Sequence, residues 1–146
     1  MRRRNPEDEI CMALMNWWAY QCKLRGCCVN DLTFSMGGNN LSKAARGKSK
    51  AMGYHAGTPD YFLSVGVGGY NGMYLEIKTE VGQLTKEQKE VIARRRNRGY
   101  ACAVAYGLDE ARDLITEYLM HEQGHRFRYD TKSERKAYLK KISTGG

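Results

Sequence analysis

The segment that most restricts the possible folds is residues 60–79, where two apolar runs flank Gly68-Gly69-Tyr70-Asn71-Gly72. The pattern predicts strands over residues 60–67 and 73–79 joined as a hairpin, with Asn71-Gly72 as the turn signal. Successive side chains on a strand point to opposite faces. In Leu75-Glu76-Ile77-Lys78 the acid and the lysine therefore share one face, and Leu75 and Ile77 the other. If the two runs are neighbouring strands, Asp60, which follows Gly57-Thr58-Pro59, converges on Glu76 and Lys78. Two carboxylates hold a divalent metal, and a nearby lysine aligns a water or offsets charge on a phosphate under attack. Such a constellation suits phosphodiester cleavage.

The flanking sequence supplies layers for this hairpin. A first helix is predicted over residues 6–24, with Asn5 as cap, Pro6 at the first helical position, acids at its positive end and Gly26 as terminator. Ile10, Leu14, Trp17 and Trp18 fall on one stripe at about 100° per residue. Glu7 projects inside that stripe and Glu9 outside it. A carboxylate on the core-facing side is expensive unless paired or bound to a cation, so Glu7 is either a helix-start charge or a site residue. Residues 32–36 read as a short strand before a loop over 37–40, and residues 41–52 as a small basic helix or a loop. Thr85-Lys86-Glu87-Gln88 fits a capping box opening a helix to about Arg98, with Gly99 as its stop. Residues 100–106 form a third central strand, and Asp109 caps a helix with Leu114, Ile115, Tyr118 and Leu119 on one side. Alternating helices and strands predict an α/β fold, a mixed β-sheet flanked by helices.

With 146 residues the chain reads as one domain, its core over about residues 5–120 and a basic extension over about 121–146. The net charge of +8 and the pI of about 9.3 suit a polyanionic partner. No acid occurs between Asp31 and Asp60, a stretch holding Lys43, Arg46, Lys48 and Lys50. Singly these cations suit a solvated surface; taken together they point to DNA contact. No signal peptide is visible, and no apolar run approaches the roughly 18 residues of a membrane span. Five cysteines without framework spacing argue for a reducing compartment, the cytoplasm. Cys22, Cys27 and Cys28 lack paired zinc spacing and are expected as small buried side chains. His121-Glu122-Gln123-Gly124-His125 matches the zinc-protease signature, but Gly124 interrupts the helix that both histidines require.

The ordered set of segments resembles the PD-(D/E)XK nuclease superfamily and, within it, the virus-type replication-repair nuclease (VRR-NUC) branch. The resemblance rests on residues 50–63 with Thr58-Pro59-Asp60, on Leu75-Glu76-Ile77-Lys78, on residues 82–89, on Gly99-Tyr100 and on the helix after Asp109. An early glutamate on an N-terminal helix is also typical. It implies a nuclease-like core in which Asp60 and Glu76 are metal ligands with the Ile77 carbonyl and Glu7, Lys78 is the catalytic lysine, and Gln88 lies near the site. It implies Mg²⁺ or Mn²⁺ as cofactor and DNA as partner, with no nucleotide cofactor and no membrane. It further implies a homodimer of phage or bacterial type cutting branched DNA such as Holliday junctions. General nicking, flap cleavage and a non-catalytic basic nucleic-acid-binding module are the alternatives. The chain departs from the family where Cys11 stands in place of a glutamine four residues beyond Glu7.

Overall fold

The computed structural model describes residues 5–35 and 42–121. Helix α1 (Pro6–Arg25) starts as its composition dictates: the Asn5 side chain accepts the Glu7 amide at 3.0 Å, and Gly26, at φ 71°, ends it. Its buried stripe is Leu14, Trp18 and Cys22, spaced by four. A single 3₁₀ turn (Val29–Asp31) follows, to which Trp18 Nε1 donates at Val29 O, 3.0 Å. Strand β1 (Leu32–Phe34), helix α2 (Lys43–Ala51), strands β2 (Tyr61–Leu63) and β3 (Met73–Lys78), helix α3 (Lys86–Asn97), strand β4 (Ala101–Tyr106) and helix α4 (Leu108–Leu119) complete the order.

The sheet runs β1-β2-β3-β4. The first two pairings are antiparallel and β3–β4 is parallel, with α3 as the crossover. The mixed sheet expected from the sequence is therefore present. Side-chain alternation divides its faces. Met73, Leu75 and Ile77, with Ala101, Ala103 and Ala105, belong to the large core formed with α1 and α4. Tyr74, Cys102 and Val104 belong to the smaller cluster under Ile92 of α3. Glu76 and Lys78, even-numbered like Tyr74, lie on that second face.

Three expected boundaries differ. The hairpin turn is Gly68-Gly69, not Asn71-Gly72. Val67 and Tyr70 exchange backbone hydrogen bonds of 3.2 and 2.9 Å, and both glycines have the positive φ (58° and 89°) that a primed two-residue turn requires. Asn71 instead ties the hairpin to the end of α3, its amide donating to Gly99 O at 2.9 Å and its side chain to Arg98 O at 3.3 Å. Strand β2 stops at Leu63 because residues 64–72 are taken up by the approach to this turn. Helix α4 is capped by Gly107, with Asp109 inside its first turn, paired to Arg112. Cys22 is buried as expected, but Cys27 and Cys28 are exposed: they follow the terminating glycine and never enter the helix stripe. Met36, residues 37–40 and the tail from residue 122 lie outside the described residues. So does most of the histidine motif; α4 ends at Leu119, before His121.

Candidate active site

The β2–β3 ladder ends at Tyr61↔Leu75. One step further the register would set Asp60 opposite Glu76, and there side chains replace the ladder. Asp60 N donates to Glu76 Oε2 at 3.2 Å, and Ile77 N donates to Asp60 Oδ2 at 2.8 Å. Each carboxylate is thus held by a backbone amide beside the other. Upstream, Thr58 closes a turn onto His55 O through its hydroxyl at 2.7 Å, Pro59 is buried, and Ser35 N anchors Asp60 O at 2.7 Å. These bonds fix the loop that delivers Asp60.

Helix α3 completes the cluster. Thr85 and Gln88 form the predicted capping box: Gln88 N donates to Thr85 Oγ1 at 3.2 Å, and Thr85 N to Gln88 Oε1 at 2.9 Å. The same amide turns its nitrogen inward, Gln88 Nε2 donating to Glu76 Oε1 at 2.7 Å. The two readings of Gln88, cap and site, are therefore both satisfied by one side chain. This contact needs the loop before Asp60 to lie on the first turn of α3, and Gly57 permits it. At φ 85°, a Cβ there would stand 2.6 Å from the Glu87 carbonyl and 2.9 Å from Gln88 N. The importance of Gly57 was not legible from the sequence, because it depends on an approach between segments some thirty residues apart. Lys78 Nζ lies 3.7 Å from the same Glu76 oxygen.

Glu76 is 4% and Lys78 9% exposed. Burial is the main force raising the Glu76 carboxyl above the usual carboxylate range, and the Asp60 charge adds to it; Lys78 opposes. Burial likewise raises Asp60, against the Ile77 amide, which favours its anion. The Glu7 charge acts on both carboxyls in the raising direction. Glu9 instead lines a separate cleft with Thr79, Val81 and Leu108. Cys11, one turn beyond Glu7, has its thiol pushed up to about 11, first by burial and then by the charges of Asp60, Asp8 and Glu7. Its carbonyl accepts the Tyr61 hydroxyl at 3.3 Å, pinning α1 to β2 beside Asp60. The result is a half-sealed cluster in which burial disfavours the charged forms of two carboxyls set beside one lysine.

Asp60, Glu76, Ile77, Lys78 and Gln88 are thus brought together, with Glu7 in electrostatic reach. Among the described residues no three His, Cys, Asp or Glu side chains stand close enough to hold an ion by themselves. The donors present, two carboxylates and a backbone carbonyl, fit an ion such as Mg²⁺ that keeps several waters and takes further oxygens from a substrate phosphate. Lys43, Arg46 and Lys48 sit on α2 with Lys50, all exposed, and their side chains make no ion pair among the described residues. They form a basic surface running into the loop that carries Asp60.

The order of these parts is that of a known family: residues 1–109 match the model of the VRR-NUC domain. The chain is a member of the VRR-NUC family. A solved structure described as a VRR_NUC domain protein superposes with a TM-score of 0.67 at 29% identity, covering 83% of this chain and 93% of that one. No curated protein matches. The VRR-NUC domain is of nuclease type, which implies DNA as substrate, and the α/β sheet flanked by helices is consistent with its nuclease-like core. Among the described residues no helix of this VRR-NUC chain is long and apolar enough to cross a membrane.

Proposed function

We propose that this VRR-NUC chain is a metal-dependent endodeoxyribonuclease that hydrolyses phosphodiester bonds in branched DNA such as four-way junctions, working as a homodimer. The observation that carries the reading is the reciprocal clasp of Asp60 and Glu76 at the point where β2 leaves β3, with Lys78 and Gln88 on the same oxygen of Glu76. Asp60, Glu76, the Ile77 carbonyl and Glu7 would hold Mg²⁺ or Mn²⁺. When bound, such an ion lowers the pKa of a coordinated water and offsets charge on the phosphate.

The remaining roles belong to the chain's own groups. Lys78, nearly buried beside Glu76, presents a fixed ammonium to the attacking water or to a phosphate oxygen, where charge builds in the transition state. Gln88 holds Glu76 in one rotamer through a bond shared with its helix cap, so ligand geometry is set before substrate arrives. Glu7 adds negative charge from the α1 side and raises the attraction for a dication. The chemistry needs no cysteine nucleophile, and burial pushes the Cys11 thiol up, away from its reactive anion. The exposed cations of α2 suit phosphate contacts, which orient a duplex without reading its bases and so favour recognition of shape. A two-fold dimer would match the two-fold symmetry of a junction and give paired nicks.

The test is a gel comparing four-way junction, flap, fork and linear duplex, each with and without Mn²⁺. Mn²⁺-dependent cutting concentrated on the junction is expected. Equal cutting of linear duplex removes the branched-DNA part of the reading, and absence of cutting on every substrate removes the nuclease itself.

A further inference from the structure

The sheet face that bears Glu76 continues into an aromatic surface. Two residues back along β3 lies Tyr74, and two residues on from Asp60 lies Phe62, its direct partner across the ladder. Their rings are 4.6 Å apart at 33°. Tyr100 meets them edge-on, at 5.3 Å from Tyr74 and 6.0 Å from Phe62. The Arg95 guanidinium stands 5.2 Å above the Tyr74 ring. All four side chains are half-buried.

This group is not built like the core tyrosines. Tyr61 and Tyr118, 1% and 0% exposed, spend their hydroxyls on Cys11 O and Val65 O. Tyr74 and Tyr100 pack their inner sides on Ile92, Cys102 and Val104, but neither hydroxyl makes a hydrogen bond among the described residues. Gly72 fixes the third ring: a Cβ there would lie 2.8 Å from Phe62 Cε2, so only glycine lets that ring lie against the strand. The surface is aromatic, bordered by arginine, and lies on the same sheet face as the Asp60–Glu76 cluster.

We propose that Phe62, Tyr74 and Tyr100, with Arg95, form a stacking platform for an unstacked nucleobase of the strand whose phosphate is held at Asp60 and Glu76; this rests on the nuclease reading above. Side chains two apart on a strand are about 7 Å apart, close to two stacked-nucleotide rises of about 3.4 Å. A base near the scissile phosphate therefore reaches the rings. Stacking accepts every base because each has a π-face, and the arginine contributes cation–π attraction and charge for the backbone. Bases inside an intact duplex are already stacked and cannot reach the platform; bases at a branch or single-stranded end can. The device thus selects DNA whose stacking is interrupted beside the cut, at a branch point or a single-stranded end.

The test is binding in EDTA, where no cleavage intervenes, to a single-stranded oligonucleotide carrying 2-aminopurine and to a blunt duplex. The native protein is expected to quench 2-aminopurine. Tyr74→Leu and Phe62→Leu should weaken single-strand binding about 5- to 150-fold while leaving duplex binding within about twofold, and Tyr74→Phe should bind as the native chain does. Absence of quenching by the native protein overturns the platform without recourse to any variant. So does equal loss of both DNAs, or no loss, in leucine variants of unchanged melting temperature. Mn²⁺-dependent plasmid nicking by the native chain tests the underlying reading separately: nicking without quenching removes only the platform, and quenching without nicking removes only the nuclease.

Discussion

Replacing Gly57 by alanine should unfold the site from a position that carries no chemistry. Two separable terms act there. The backbone sits at φ 85°, which an L side chain adopts at a cost of about 1–2 kcal/mol. The added Cβ would also stand 2.6 Å from the carbonyl carbon and oxygen of Glu87 and 2.9 Å from Gln88 N, all backbone atoms at the start of α3. Backbone cannot swing aside as a side chain can, so the loop or the helix must move, an overpacking term of about 1–3 kcal/mol. Together they predict about 2–5 kcal/mol. Gly53→Ala supplies the control, because φ is 106° but no atom lies within 4 Å of the new Cβ; only the first term applies. Urea denaturation of both variants should place Gly57→Ala below Gly53→Ala by the overpacking term. Nicking should fall with it, since displacement breaks the 2.7 Å bond from Gln88 to Glu76. Equal stabilities for the two alanine variants would show that the loop does not rest on α3 as described.

Three further outcomes follow from the same cluster. Burial and the Asp60 charge raise the Glu76 carboxyl, so its contribution to stability is full below its unfolded value of 4.5 and is lost as pH rises through the higher folded value. Glu76→Gln should therefore gain on the parent by on the order of 2 kcal/mol between about pH 5 and 8 in EDTA, read by urea denaturation, and should lose any stabilisation by Mn²⁺; a parallel pH dependence of the two proteins contradicts this. Lys78→Ala should abolish plasmid nicking yet keep Mn²⁺-induced thermal stabilisation and DNA binding, and residual cutting near the parent rate removes the lysine from the chemistry. Gln88→Glu keeps the acceptor of the capping box but turns a third carboxylate onto Glu76, so it should lower stability by about 1–3 kcal/mol without metal and recover most of it with Mn²⁺ in a melting assay.

The parts legible in the sequence were those with local causes. The Asn5 cap, the Thr85–Gln88 box and the alternation in Leu75-Glu76-Ile77-Lys78 act within a few residues, and each stands where it was read. Assigning Asp60 to the same spot as Glu76 rested on the two strands being neighbours and not on the turn, because an Asn71-Gly72 turn would pair Tyr70 with Met73 and put Asp60 on the Ile77 face. With the turn at Gly68-Gly69 the ladder sets Tyr61 opposite Leu75, and this register is what brings Asp60 to Glu76. What could not be read depends on approaches between distant segments: Gly57 on α3, Gly72 under Phe62, and Gln88 reaching back to Glu76 while still serving its cap. Cys27 and Cys28 went the other way, for composition suggests burial of cysteine in general and cannot see that α1 has already ended at Gly26.

The two faces of the sheet divide the work unequally, and this is why so small a chain tolerates buried charge. The α1 and α4 face carries Leu14, Trp18, Leu75, Ile77, Leu114 and Ile115, an apolar core that needs nothing from the opposite side. Among the described residues the buried apolar side chains of the α3 face are Ile92, Cys102 and Val104. Helix α3 is therefore docked to a large extent by polar and aromatic contacts: Gln88 on Glu76, Arg96 on Cys102 O at 3.2 Å, Arg95 over Tyr74, and the Gly57 approach. Repulsion between Asp60 and Glu76 acts on the less firmly held layer, where it can be relieved without disturbing the fold. A cation at that pair would remove the repulsion and tighten α3, and with it Arg95 over Tyr74. On the proposed reading, ion, scissile phosphate and neighbouring base would all bear on one helix.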